Sequence, residues 1–72
     1  MTERKKERGV CKVWFEDRGF GFIKPAWGDS DIFVHLSGLV DGLERLHKQD
    51  AVEYAVSASR DGRWMAVDVK LV

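Results

Sequence analysis

The sequence has little of several things that mark other classes of protein. A single cysteine, Cys11, excludes an internal disulfide and suits a reducing compartment. No apolar run approaches the length of a membrane span, and no segment repeats or is of low complexity. The charged first eight residues lack the apolar region of a signal peptide, so we expect a cytoplasmic protein.

Net charge is also missing, because twelve basic and twelve acidic side chains cancel. Any affinity for nucleic acid must therefore come from a local patch or from stacking rather than from bulk positive charge. A chain of 72 residues has one small core and little stability to spare. We predict a flexible charged tail over residues 1–8 and a single domain over residues 9–72.

Two stretches, residues 18–23 (RGFGFI) and 31–35 (DIFVH), carry a distinctive alternation. Successive side chains of a strand point to opposite faces, so the aromatic side chains fall on one face and the aliphatic ones on the other. Burial of the phenylalanines is the alternative, but the aliphatic face already supplies a core. An aromatic face edged by cations is what base stacking requires. The residues predicted on this face are Arg18, Phe20, Phe22, Lys24, Phe33 and His35.

Both stretches resemble motifs of the cold-shock domain family, in its bacterial form. Arg18–Ile23 is similar to the first ribonucleoprotein motif, Lys/Arg-Gly-Phe-Gly-Phe-Ile, and Ile32–Ser37 to the second, Val/Ile-Phe-Val-His-Phe-Ser. Gly28–Asp31 resembles the turn between them, and Gly9–Phe15 resembles the opening Gly-x-Val-Lys-Trp-Phe. The resemblance implies a barrel of the oligonucleotide-binding (OB) fold that binds single-stranded nucleic acid and acts as an RNA chaperone.

The rest of the chain agrees with a small all-β fold. Residues 51–58 and 65–71 alternate, and Asp61-Gly62 is a hairpin signal. Five short strands with polar turns favour a closed barrel, here predicted to be antiparallel, because closure removes the sheet edges. The predicted inward residues of the last two strands are Val52, Tyr54, Val56, Ala58, Met65, Val67, Val69 and Leu71.

The first strand departs from the family pattern, since Val13 separates Lys12 from Trp14. Either the strand carries an inserted residue before a shortened turn, or Trp14 takes the place of the family's following Phe. Strict alternation puts Lys12 and Trp14 outward and Cys11, Val13 and Phe15 inward, and we adopt it; a bulge would change this. Leu36 is a second departure, because the family usually has Phe there.

Catalysis and metal binding find little support in the sequence. Asp31, His35 and Ser37 have the residue types of a hydrolytic triad, but an open strand spaces alternate residues about 7 Å apart and supplies no oxyanion hole. The two histidines and Cys11 lack the close spacing of metal ligands. We therefore predict no enzymatic activity, no metal and no cofactor.

We predict a monomer that binds single-stranded RNA or DNA with low sequence specificity. A protein-interaction module on the same barrel and a degenerate paralogue with weak binding are the alternatives. Trp27 either packs over the barrel end or stacks on a base, and Arg60, Arg63 and Trp64 are expected in a solvated turn. The predicted binding residues are Lys12, Trp14, Arg18, Phe20, Phe22, Lys24, Phe33 and His35.

Overall fold

The computed structural model describes residues 6–26, 28, 30–58 and 61–72. Trp27 and Arg60, for which the sequence suggested roles, lie outside these residues. The strands are β1 (Lys6–Phe15), β2 (Phe20–Pro25), β3 (Ile32–His35), β4 (Ala51–Ala58) and β5 (Trp64–Leu71), with a 3₁₀ turn at Leu36–Gly38. Within the described part of the chain, no helix has the length and apolar character needed to cross a bilayer.

The strands close into a barrel in the order β1-β2-β3-β5-β4, which confirms the predicted five-stranded barrel. The prediction that it is antiparallel throughout is wrong, because β3 and β5 pair in parallel through Phe33↔Met65 and Val34↔Ala66. The loop over residues 39–50 carries the chain away from β3 to β4, and the β4–β5 hairpin then returns β5 alongside β3 in the same direction. The barrel is therefore a mixed sheet.

The barrel begins earlier than predicted. Residues 6–8, assigned to the tail from the sequence, belong to β1 and pair with β4 from Lys6↔Ala55 to Arg8↔Glu53. Arg8 and Glu53 also approach as an ion pair, with Nε and Oε2 3.8 Å apart. Pairing of backbone groups along β4 thus extends the domain into the charged segment.

The core is apolar and fills the barrel interior, and β2 and β3 contribute Ile23 and Val34 as their alternation predicts. On β4 a register shift between Glu53 and Ala55 places two successive residues, Tyr54 and Ala55, inside. Bulges of this kind bend a strand, which a small closed barrel needs. The fully or almost fully buried residues are Cys11, Ile23, Val34, Leu46, Val52, Tyr54, Ala55, Ala66 and Val69.

The predicted alternation of β5 is also wrong, because this strand too contains a local irregularity. Asp68 has a positive φ of 53°, a left-handed conformation that interrupts the extended strand. Ala66 and Val69 therefore both lie in the core, although they are three residues apart. Met65 and Val67 are only half-buried, and Leu71 is exposed.

Cys11 is a free thiol buried in the core, on the inward side where alternation predicts it. Burial raises the pKa of the thiol above its ordinary value of 9.0, and the Asp50 carboxylate raises this pKa further. Because the thiolate is the nucleophile, we expect iodoacetamide to modify Cys11 slowly in the folded protein and rapidly in urea. Equal rates in the two states would contradict the buried position.

The raised thiol pKa also gives stability a pH dependence. The unfolded chain loses its thiol proton first, so the free energy of unfolding should decrease as the pH rises above about 9. Urea unfolding between pH 7 and 10 measures this decrease, and Cys11→Ala should remove part of it. The control is necessary because burial and nearby Glu7 raise the pKa of Tyr54 above 10.0, which acts in the same direction at higher pH.

Candidate nucleic-acid interface

Five aromatic side chains form a continuous outer surface on β1, β2 and β3. Cross-strand pairing sets it, because Phe22 lies opposite Phe33 and Phe20 lies opposite His35. The Phe33 ring centroid is 5.6 Å from that of Phe20, 6.0 Å from that of Phe22 and 6.5 Å from that of His35. These are the contact distances of aromatic pairs. We call this surface the aromatic platform; its members are Phe15, Phe20, Phe22, Phe33 and His35.

The opposite faces of the same strands are fully buried at Ile23 and Val34, whereas the three phenylalanines of β2 and β3 are half-buried and His35 is exposed. The structure therefore brings together the four aromatic residues that the alternation of β2 and β3 placed on one face. Their part in binding stays a prediction.

The predicted outward orientation of Trp14 is wrong. Cys11 pairs with Ile23 and Val13 with Phe22, so Lys12 is an extra residue in β1 that shifts the register by one. Trp14 consequently lies opposite Gly21 and packs against the core. A Cβ at Gly21 would lie 2.8 Å from Cε3 of Trp14, so only glycine leaves room for the indole.

The same shift turns Phe15 outward, where the sequence had placed it inward. Phe15 lies opposite Phe20, its ring centroid is 5.2 Å from that of Phe20, and it is 39% exposed. It is the platform member that the sequence analysis missed. The first alternative, an inserted residue before a shortened turn, contained the signal, because an inserted residue shifts the register of β1 as the bulge at Lys12 does.

The three predicted cationic contacts have different surroundings. Lys12 is exposed at the bulge and its Nζ donates to Oδ2 of Asp31 at 2.8 Å, so a phosphate would have to compete with this carboxylate. Arg18 is exposed in the turn before β2, and Lys24 is exposed near the end of that strand. The cations therefore lie around the phenylalanine rings rather than among them.

Ser37 orients the His35 ring. Its backbone N–H donates to Nδ1 of His35 at 3.1 Å, so Nδ1 is an acceptor and the neutral tautomer that fits this bond carries its proton on Nε2. The Asp31 carboxylate bonds Lys12 instead of orienting His35, an arrangement that differs from that of a hydrolytic triad. Among the described residues, no group of three or more His, Cys, Asp or Glu side chains is placed to hold a metal ion.

Leu36 stands where the family pattern has Phe. It is exposed beside Gly19, with its Cβ 3.6 Å from where a Cβ of that glycine would be. Leu43 packs against the core from the loop over residues 39–50. Neither leucine extends the ring surface, whereas Phe15 adds a ring at its β1 side.

Comparison with known proteins places this geometry in a family. The model of the 'Cold-shock' DNA-binding domain matches residues 7–72. The chain is 45% identical over 72 residues to Glycine-rich protein 2 of Nicotiana sylvestris, covering 96% of this chain and 34% of that protein. It is 40% identical over 58 residues to the Cold shock-like protein CspC of Shigella flexneri, covering 79% of this chain and 84% of that protein.

A solved structure described as Drosophila Unr CSD456 superimposes with a TM-score of 0.80 at 26% identity, covering 96% of this chain and 27% of that one. The chain thus spans about a third of the Nicotiana protein, whose identity to it is higher than that of the bacterial protein. Because the family model matches nearly the whole length of the chain, this chain belongs to the cold-shock domain family.

Proposed function

We propose that the protein binds single-stranded RNA or DNA with little sequence preference, by stacking successive bases on the aromatic platform. The observation that carries this proposal is the contiguity of the rings: each lies within 6.5 Å of a neighbour on a face opposite the core. A stacked base contributes about 1 to 3 kcal/mol, and every base has a π-face, so such a surface is tolerant of sequence.

The cations around the platform contact phosphates in this proposal. Arg18 and Lys24 are exposed and available, and Lys12 exchanges its bond with Asp31 for one with the strand. With net charge zero, these local contacts supply the electrostatic part of the affinity. His35 presents the N–H of Nε2 as a donor at the edge of its ring, a group that can bond a base.

The chaperone role follows from mass action. A base stacked on the platform is unavailable for pairing, so binding favours the unpaired form of an RNA and lowers the stability of its hairpins without nucleotide hydrolysis. The family's name, the cold-shock domain, is consistent with this role.

The test is fluorescence anisotropy of an end-labelled oligouridine of about eight nucleotides, within the range of site sizes of single OB folds. A label on the strand is preferable to intrinsic fluorescence, because Trp14 packs inward behind Gly21. We expect saturable binding whose log affinity falls with log salt at a slope of about 1.5 to 2, from two to three phosphate contacts at about 0.7 each.

A hairpin duplex of the same length is the control and should bind more weakly, because its bases are not available to the rings. Absence of binding at micromolar strand by folded protein would overturn the proposal. Binding of an apolar or proline-rich peptide with little dependence on salt would instead identify the platform as a protein-interaction surface.

A further inference from the structure

The first residue of β5, Trp64, is a tryptophan whose side chain is mostly exposed. Trp64 is 65% exposed, more than any other exposed large hydrophobic side chain of the described residues. Its partner on β4 is the small Ala58, and none of the ring contacts recorded among the described residues involves it. An indole in water gives up the large apolar contact area that this side chain normally contributes. The exposed indole is therefore available for contact with a binding partner.

Trp64 also lines a cleft of about 510 Å³ beside the aromatic platform. Phe22, Phe33 and Met65 form further parts of its wall. Ligand sites are typically about 300 to 1,000 Å³ with mostly apolar walls, so the cleft has the size of one. Because Met65 pairs directly with Phe33, the cleft continues the platform across the β3–β5 pair.

The rim of the cleft is charged. Arg63 is exposed at one side, with its Nε 3.4 Å from Oδ2 of Asp61, and Asp31 with its partner Lys12 lies at another. Aromatic and thioether walls suit a flat heterocycle, and an arginine at the mouth suits the phosphate attached to it. A wholly apolar ligand would partly desolvate these charges without offering them an ion pair or a hydrogen bond.

We infer that this cleft is an additional nucleotide subsite, in which a base stacks on Trp64 as the strand leaves the platform past β3. The inference rests on the proposed function, since it assigns the cleft to the same bound strand. Arg63 exchanges its exposed contact with Asp61 for the phosphate of that nucleotide. The subsite lengthens the binding site and makes the affinity depend on strand length.

The experiment compares the wild type with Trp64→Ala and Trp64→Phe by anisotropy, using labelled oligouridines of about four and about eight nucleotides. The shorter strand is covered by the platform, whereas the longer one reaches the cleft. Thermal unfolding checks that the variants fold. We expect that they do, because the Trp64 side chain is exposed and contributes little to the core. A second readout is the indole N–H resonance of Trp64, identified as the signal lost from the Trp64→Phe spectrum.

We expect Trp64→Ala to weaken binding of the longer strand roughly 5- to 150-fold, the equivalent of one stacked base, and to leave the shorter strand unaffected. Trp64→Phe should retain most of the affinity, and the Trp64 indole resonance should shift only with the longer strand. Unchanged affinity of Trp64→Ala for both strands, or a resonance that does not move, would overturn the subsite while platform binding stands. Failure of the wild type to bind either strand would remove the proposed function as well.

Discussion

Replacing Phe20 and Phe33 together by alanine is expected to lower the affinity for oligouridine by at least about 30-fold, because two stacking positions of about 1 to 3 kcal/mol each are lost. Phe33 is central to the aromatic platform, since its ring lies within 6.5 Å of Phe20, Phe22 and His35. Its removal therefore also loosens the rings that remain. Anisotropy titration of the variant against the wild type measures the loss.

The matched control is the double substitution to leucine, which preserves apolar volume and removes only the rings. If stacking is the source of affinity, Phe20→Leu with Phe33→Leu should bind nearly as weakly as the alanine pair while unfolding closer to the wild type. Leu71→Ala, at an exposed residue of β5, should leave binding unchanged. A folded double variant that binds like the wild type would place the site elsewhere on the barrel.

Trp14→Ala should destabilise the domain by about 3 kcal/mol, because it removes a large side chain that packs against the core. A single core in a chain of this size supplies only about 3 to 5 kcal/mol, so the variant should be only marginally folded. Phe15→Ala, one residue along, should cost only about 1 kcal/mol, the worth of one aromatic pair. Urea unfolding of the two variants measures the difference.

These two variants test the bulge at Lys12. With the bulge, Trp14 contributes to stability and Phe15 to binding; without it, the two residues would exchange these roles. In the structure Phe15 is the platform residue, and its loss should weaken strand binding about fivefold or more in a protein that still folds. A stable Trp14→Ala that binds poorly, together with an unstable Phe15→Ala, would restore strict alternation in β1. Trp14→Phe should recover most of the stability because it refills the space over Gly21.

Local pattern was sufficient where strands are short and regular. On β2 and β3 the alternation assigned both faces correctly, because neither strand contains a register shift against the other. The β4 bounds, residues 51–58, also follow from the sequence alone. The number of strands and their polar turns then favoured a closed barrel, and the family resemblance implied the same fold.

The predictions that failed share one physical cause, which is an irregularity fixed by distant partners. The bulge at Lys12 accompanies a change of neighbour in β1: the Cys11 N–H donates to the Asp50 carbonyl at 2.8 Å, and the Cys11 carbonyl accepts from Gln49 at 2.8 Å. The separation of Lys12 from Trp14 allowed a bulge, but residues 9–15 alone do not determine where β1 changes its neighbour. The conformation of Asp68 and the parallel pairing of β3 with β5 likewise depend on closure of the whole sheet.

Strand β3 both closes the barrel and carries part of the aromatic platform, and these two roles link binding to stability. It has only four residues, joins β5 through two residue pairs, and carries Phe33 and His35 of the aromatic platform. A nucleic acid strand that binds these rings engages only the closed barrel, so binding and folding are linked equilibria. At a free strand concentration of 100 times Kd the linkage contributes about 2.7 kcal/mol, comparable with the core itself. The bound nucleic acid then stabilises the closed barrel in the way that an additional strand of the protein would, although it is not part of the chain.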